Sequence, residues 1–279
     1  MRNAEQLHLY PMPDDKAIAF STTRHGGCGS GAYGSFNCTP YTGDELSVVL
    51  ANQEMLCRLV GITAEQLIVP YQTHSCNVLA IDEAFMQLSG DARHAMLQEK
   101  DAIVTDVPSV CICVSTADCV PVLLYDAARE VVAAVHAGWR GTVGKIASHT
   151  LQAMREKYGT QAADVHAIIG PCISLDAFEV GIEVYDAFAQ VGFDMEQVAC
   201  WHPEKEKYHI DLPAANRLQL LAEGVMPGNI HDSAICTYAE HYDFFSARRL
   251  GIRSGRVLNG IVLKKCIAPA TADLRGDWH

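Results

Sequence analysis

Apolar residues crowd into three short runs in the middle of the chain, at 110–114, 121–125 and 131–136, each rich in β-branched side chains. None alternates apolar with polar positions, so each predicts a strand covered on both faces. Further strands are expected at 18–23, 165–169 and 256–263. Between the strands the spacing becomes helical. Leu46, Val49, Leu50, Cys57 and Val60 fall on one face of a helix over 46–60, and Gln53 shares that face, where it needs a hydrogen-bond partner at the edge of the core. A helix beginning near Thr142, taken as its N-cap, would bury Val143, Ile146, Ala147, Thr150, Leu151 and Met154. An amphipathic stretch over 178–191 runs to Gly192. Asp211 is placed to cap a helix that buries Leu212, Ala215, Leu218, Leu221 and Ala222 before Gly224. Strands interleaved with several helices predict a mixed α/β or α+β fold. No linker, repeat or low-complexity segment divides residues 1–279, so one domain is expected.

The glycine-rich segment 26–34 reads as a loop. It contains Gly29-Ser30-Gly31-Ala32-Tyr33-Gly34, which has the spacing of a dinucleotide-binding loop. Pro40 and Gly43 follow where that motif requires a helix amino terminus facing the phosphates, so the match is rejected in favour of a surface or substrate loop.

Composition then narrows the function. A chain of 279 residues, 49% hydrophobic, can bury a substantial core. Its formal net charge of -12 argues against a nucleic-acid surface, which needs clustered Lys and Arg, and leaves a small metabolite open. No apolar run approaches the roughly 20 residues of a membrane span, and residues 1–10 carry no secretion signal, so a soluble cytoplasmic protein is expected. The eleven cysteines are odd in number and several lie inside apolar runs, which reads as reduced core residues rather than a disulfide framework. Cys119 is then available as a thiolate.

Three residues with metal-binding side chains stand where predicted strands meet turns. They are His74 in Tyr71-Gln72-Thr73-His74-Ser75, Cys119 in Thr116-Ala117-Asp118-Cys119-Val120-Pro121, and His136 in Ala134-Val135-His136-Ala137-Gly138-Trp139-Arg140-Gly141. Two imidazoles and a thiolate leave a tetrahedral zinc ion one open position, as a catalytic site requires; a structural zinc usually has four protein ligands. Spacing alone also fits three ordinary core or surface residues, because neither a Cys-x-x-Cys pair nor a His-Glu-x-x-His helix is present. Beyond His136, the first-turn N–H groups of the helix expected at Thr142 would form an anion site, with Arg140 and Lys145 beside it.

The surrounding words are more specific than the spacing. Thr22-Thr23-Arg24-His25-Gly26-Gly27, Gln72-Thr73-His74, Asp101-Ala102, Thr116-Ala117-Asp118-Cys119, His136-Ala137-Gly138-Trp139-Arg140-Gly141, Ile169-Gly170-Pro171-Cys172-Ile173 and Phe244-Phe245-Ser246-Ala247-Arg248-Arg249 occur in this order over most of the chain. Together they resemble the YfiH family, also called the multicopper polyphenol oxidase or laccase-domain family. The resemblance implies layered mixed β-sheets flanked by helices in a single domain. It implies that His74, Cys119 and His136 are catalytic and hold a metal. It further implies a zinc-dependent purine nucleoside phosphorylase with adenosine deaminase activity, whose partners are phosphate and adenosine, inosine, guanosine or S-methyl-5′-thioadenosine. The chain departs from the family pattern at Phe36-Asn37-Cys38-Thr39 and Tyr41-Thr42-Gly43-Asp44, where many relatives read Leu-Asn-Leu-Gly and His-Val-Gly-Asp. It departs again at Asn52-Gln53, where many read Asn-Arg, so any substrate contact made by that arginine is in doubt here.

On this reading Arg24, Lys145 and Arg248 are the candidate cations for phosphate, and Asn37, Gln72 and Asp118 are candidates for polar contacts. Asp118 serves equally as a carboxylate that orients a ligand histidine or caps its turn. His202-Pro203-Glu204 imitates one element of the cytidine-deaminase signature, but Pro171-Cys172-Ile173-Ser174 lacks its second cysteine, and that arrangement is set aside. Two other enzyme classes use the same three residues. A copper polyphenol oxidase is one, since copper competes well for such donors, although laccase chemistry needs close histidine pairs and no His-x-His occurs. The other is a metal-free cysteine hydrolase acting on a peptidoglycan-precursor amide, with Cys119 as nucleophile and His136 or His74 as base. A purine-binding protein without turnover is the non-catalytic alternative.

Overall fold

In the computed structural model, which describes residues 5–265, the three central apolar runs are strands covered on both faces. The chain begins with β1 (Leu7–Leu9), β2 (Ala17–Thr22), α1 (Leu46–Val60), β3 (Leu67–Ile68), β4 (Val78–Ile81), α2 (Glu83–Met86) and α3 (Gly90–Met96). The centre holds β5 (Ala102–Thr105), β6 (Cys111–Thr116), β7 (Val120–Asp126), β8 (Val131–Ala137), α4 (Trp139–Val143), α5 (Ile146–Tyr158) and β9 (Val165–Ile169). The last third comprises β10 (Glu179–Val180), α6 (Ile182–Gln190), α7 (Met195–Val198), β11 (Ala199–His202), β12 (Lys207–Ile210), α8 (Leu212–Ala222), β13 (Ile230–Asp232), α9 (Ala247–Leu250) and β14 (Val257–Leu263). Residues 1–4 of the segment read against a secretion signal, and Cys266 among the cysteines, lie outside the described residues. The other ten cysteines are free. Among the described residues no helix is long and apolar enough to cross a membrane.

Six strands in the order β13-β9-β7-β8-β5-β4 form one mixed sheet, and five in the order β1-β2-β14-β6-β3 form another. A small sheet, β10-β12-β11, completes a mixed α+β fold. The two-residue period of a strand explains the layering. In β8, Val131, Ala133, Val135 and Ala137 join Ile146, Ala147, Leu151 and Met154 of α5 in one buried cluster. Val132 and Ala134 point the other way and pack with Leu123 and Tyr125 of β7 and with Ile112, Val114 and Ile261 of the five-stranded sheet. On the far side of that sheet, Phe20, Cys111, Cys113 and Leu258 pack against Leu56 and Val60 of α1. The result is helix, sheet, sheet, helix. Each large aliphatic buried in this way contributes about 1.5–3 kcal/mol, so a polar residue persists in these strands only where it has a partner. His136 belongs to the even-numbered series of β8 and therefore faces away from the α5 layer.

Gly260 shows how closely the sheet and its helix layer pack. It pairs with Phe20 on one side and Cys113 on the other, and a Cβ there would lie 2.4 Å from Phe20 Cζ and 2.7 Å from Cys113 Sγ. Gly260→Ala is expected to cost about 1–3 kcal/mol through overpacking, read as a lower denaturant midpoint with an unchanged slope.

Two expected helices are redrawn. Thr142 is not an N-cap: α4 already begins at Trp139 with Gly138 as its cap, and the chain breaks at Gly144 before α5 restarts from Lys145, whose φ is 59°. The apolar spacing of Val143, Ile146 and Ala147 runs across the break, which is why it reads as one helix. The stretch over 178–191 starts as β10, and α6 begins only after Gly181. Elsewhere the elements stand where expected, but two buried faces are rotated: Leu46 and Leu50 of α1 and Ala222 of α8 are exposed, while Asn52 and Leu56, and Asn216, Gln219 and Leu220, turn inward. Asp211 caps α8 by accepting from the N–H of Ala214, and Gln53 donates to the carbonyl of Cys38 at 2.8 Å.

Candidate metal centre and active-site cavity

The side chains of His74, Cys119 and His136 converge, with one donor atom from each lying within 4.8 Å of the others. Each comes from a different kind of element. His136 is held inside β8, and Cys119 sits in the short turn where the chain crosses from β6 in one large sheet to β7 in the other. His74 lies in the loop between β3 and β4. Both turns carry a left-handed non-glycine residue, His74 at φ 61° and Asp118 at φ 84°. Such conformations cost about 1–2 kcal/mol and persist only where surrounding bonds impose them.

Asp101 imposes the first. It stands opposite His136, one residue before the start of β5, and its carboxylate is fully buried. It accepts from the backbone N–H groups of Thr73, His74 and Ser75 at 3.2, 3.0 and 2.7 Å, and from the Ser75 hydroxyl at 2.7 Å. Three successive N–H groups wrapped around an anion require a left-handed residue in the turn. The same carboxylate lies 2.7 Å from Nδ1 of His136, which turns Nε2 toward Cys119 and His74. Asp118 imposes the second: its oxygens accept from the Thr237 hydroxyl at 2.8 Å and from the backbone N–H of Arg248 at 2.6 Å. These bonds tie α9 to the turn that carries Cys119.

The donor types are those that hold zinc, and one pair of them stands near zinc-bound spacing. With sulfur at about 2.3 Å and nitrogen at about 2.0 Å from a tetrahedral centre, the two ligand atoms stand about 3.5 Å apart. Sγ of Cys119 and Nε2 of His74 are 3.8 Å apart. The His74 and His136 rings meet edge to face with centroids 4.8 Å apart, so neither blocks the other's donor. Burial would raise the Cys119 thiol, but the charge of His136 and hydrogen bonds from His136 and His74 bring it below its ordinary range. Burial likewise would lower His136, and the Cys119 thiolate and Asp101 together hold it above the usual imidazole range. Thiolate character is what a metal needs from this cysteine.

Gly138 completes the cradle. A Cβ on it would lie 2.9 Å from Cδ2 of His74 and 3.0 Å from Sγ of Cys119. Gly138→Ala is expected to displace one donor and lower metal affinity by at least about tenfold, measured by competition with a chromogenic chelator. Affinity equal to wild type would contradict this account of the cradle.

A cavity of about 600 Å³ opens over the three residues. Its walls include Tyr41, Tyr71, Trp139 and Phe178, with the two tyrosines edge to face at 5.1 Å between centroids. Of the residues expected to contact substrate, Gln72 and Arg248 line it. Gln72 is engaged at both ends of its amide by Ser115, at 2.9 Å to the carbonyl and 2.7 Å from the N–H. Asn37 lies behind the wall, fully buried, bonding Thr42 and Asp44 and accepting from the N–H of Arg256. Arg24 is also absent from the walls; it packs over the Phe245 ring and donates to the carbonyls of Gly34 and His241. Lys145 is exposed and does not line the cavity, and with the helix starting at Trp139 the anion site expected at Thr142 does not form. Asp101 stands in the sequence only within a family word and Arg256 only at the start of an expected strand, and neither carries an expected role in the site. A carboxylate directly before the apolar run Ala102-Ile103-Val104 is the signal for the first.

The profile of the family described as "Multi-copper polyphenol oxidoreductase laccase" matches residues 18–264. The chain belongs to this family, which includes YfiH and YlmD. A protein of Bacteroides thetaiotaomicron named purine nucleoside phosphorylase is 52% identical over 88% of this chain and 91% of its own length. Adenosine deaminase RL5, from an unknown prokaryotic organism, is 45% identical over 88% of this chain and 94% of its own. The solved structure of YlmD from Geobacillus stearothermophilus superposes with a TM-score of 0.87 at 29% identity, covering 95% of this chain and 98% of that one. With relatives of this kind along nearly its whole length, the chain is an enzyme.

Proposed function

We propose that this enzyme is a zinc-dependent purine nucleoside phosphorylase that also deaminates adenosine. One observation carries the reading: a His/Cys/His donor set opens into an aromatic-walled cavity that also presents arginines. The relatives named for phosphorolysis and for deamination support it.

His74, Cys119 and His136 would hold the zinc ion, which when bound would supply Lewis-acid stabilisation of developing negative charge and a water activated near neutral pH. The chain's own residues do the rest. Asp101 fixes the tautomer and direction of His136. Tyr41, Tyr71, Trp139 and Phe178 offer flat faces and edges against which a purine packs. In phosphorolysis a phosphate oxygen bonds to ribose C1′ as the C1′–N9 bond breaks; the electron pair leaves with the base, which takes up a proton, giving free purine and ribose 1-phosphate. In deamination water adds at C6 of adenosine and ammonia departs, giving inosine. Adenosine, inosine, guanosine and S-methyl-5′-thioadenosine are the nucleosides proposed.

A second reading rests on a separate observation. Cys119, His136 and Asp101 stand in the order nucleophile, base and orienting carboxylate, as a metal-free cysteine hydrolase would need. Added chelator leaves such an enzyme active and silences the phosphorylase.

The test of the principal reading is chromatography of products from adenosine and zinc-loaded protein, with and without phosphate. Free adenine or hypoxanthine is expected only with phosphate, and inosine in its absence. No product in either arm would reject it.

A further inference from the structure

The cavity over the metal centre is lined by two arginines, Arg248 and Arg256, and by no carboxylate. This runs against the composition of a chain with 33 acidic and 21 basic residues. Among the described residues neither arginine forms an ion pair with Asp or Glu. Backbone carbonyls fix both instead. Arg248 donates from both terminal nitrogens to the carbonyl of Glu179 at 3.2 Å. Arg256 donates to the carbonyls of Ser254, Gly255 and Ile252 at 2.7, 3.0 and 3.0 Å. Neutral carbonyls orient a guanidinium without cancelling its charge, and five N–H donors leave some free for a ligand.

The backbone of each arginine is fixed as well, Arg248 by the turn that carries Cys119 and Arg256 by a residue behind the wall. The backbone N–H of Arg248 is held by Asp118, the residue before Cys119, and that of Arg256 is held by Asn37. Arg256 and Arg248 share the cavity lining with His74, Cys119 and His136, and burial lowers the pKa of Arg256 against the opposing negative charge of Cys119 and Asp118. Two oriented, unneutralised guanidinium groups on one wall suit a tetrahedral oxyanion, which Arg binds through paired donors.

We propose that Arg248 and Arg256 form an anion subsite that holds inorganic phosphate for attack on the nucleoside. The proposal rests on the phosphorylase reading above and assigns phosphate to one wall of its cavity. Arg256 takes the place, in function, of cations expected at Arg24 and Lys145, neither of which lines the cavity.

The experiment compares zinc-loaded wild type, Arg248→Gln and Arg256→Lys. Losing one charge-assisted hydrogen-bonding group is expected to raise the KM for phosphate by about tenfold or more in Arg248→Gln. Arg256→Lys keeps the charge but loses the planar fork, and a smaller rise is expected. In both, the KM for nucleoside should move by less than about threefold, a split that a merely structural role would not produce. Equal effects on both substrates, or an unmoved phosphate KM in both variants, would overturn the proposal. Calorimetric titration with inorganic phosphate reads the subsite without turnover. Phosphate bound by wild type and lost in the variants, in a protein that leaves nucleosides intact, keeps the subsite and rejects the phosphorylase reading. Nucleoside phosphorolysis with phosphate binding unchanged in the variants keeps that reading and rejects the subsite. Wild type that neither binds phosphate nor turns over nucleoside rejects both.

Discussion

His74→Ala is expected to lower nucleoside turnover by about a thousandfold or more, the equivalent of roughly 4 kcal/mol of transition-state stabilisation. The mutation removes one of three donors and leaves a thiolate and an imidazole, too few to fix the ion's geometry. Folding should survive. His74 is exposed, and the loop is held by the backbone N–H groups that bond Asp101 rather than by the imidazole. A stability change within about 0.5 kcal/mol is therefore expected, so lost turnover reports the site and not the fold. Zinc content measured on the same sample should fall in parallel. A variant that keeps more than about a tenth of wild-type turnover would remove His74 from the mechanism.

Asp101→Asn is expected to damage both function and stability. It withdraws a buried anion from the N–H groups of Thr73, His74 and Ser75, the Ser75 hydroxyl and the His136 ring. Removing one member of a buried, hydrogen-bonded charge network costs about 3–5 kcal/mol, and losing the carboxylate behind a ligand histidine costs about 10–100-fold in metal affinity. The pH dependence gives a separate signature. Burial by itself would raise the Asp101 carboxyl, but hydrogen bonds and charge from His136 and hydrogen bonds from Ser75 bring it from 3.8 down to about 2. A lowered folded-state value means that the ionised form stabilises the fold above pH 3.8, and that this contribution is lost as pH falls from 3.8 through 2. Urea unfolding across that window should show a steeper loss in wild type than in Asp101→Asn. Parallel pH profiles would show that Asp101 carries no such stabilisation.

Much of this architecture was legible because periodicity reports burial. The central strands carry apolar residues on both faces since each is sandwiched, β8 between α5 and the other sheet. The helix over Leu46–Val60 and the Asp211 cap follow from the same logic. What escaped depends on chain geometry that side-chain pattern does not encode. The break between α4 and α5 is a left-handed Lys145 within an uninterrupted apolar period, so the helix start was misplaced and an anion site placed with it. Asp101 acquires its role from antiparallel register, which sets it opposite a histidine 35 residues away. Arg256 reads as the start of a strand and joins the cavity only because β14 pairs with β6, whose end leads into Cys119. Arg24 shows the reverse: it sits in a family word and is cationic, yet the fold spends it on two carbonyls and the Phe245 ring.

The most direct measurement strips the protein with a chelator and restores zinc stepwise while phosphate-dependent release of free base is followed. The account predicts that stripping abolishes release and that activity returns linearly, with a break at one zinc per chain. Undiminished release from the stripped protein would contradict it and remove the metal from the chemistry.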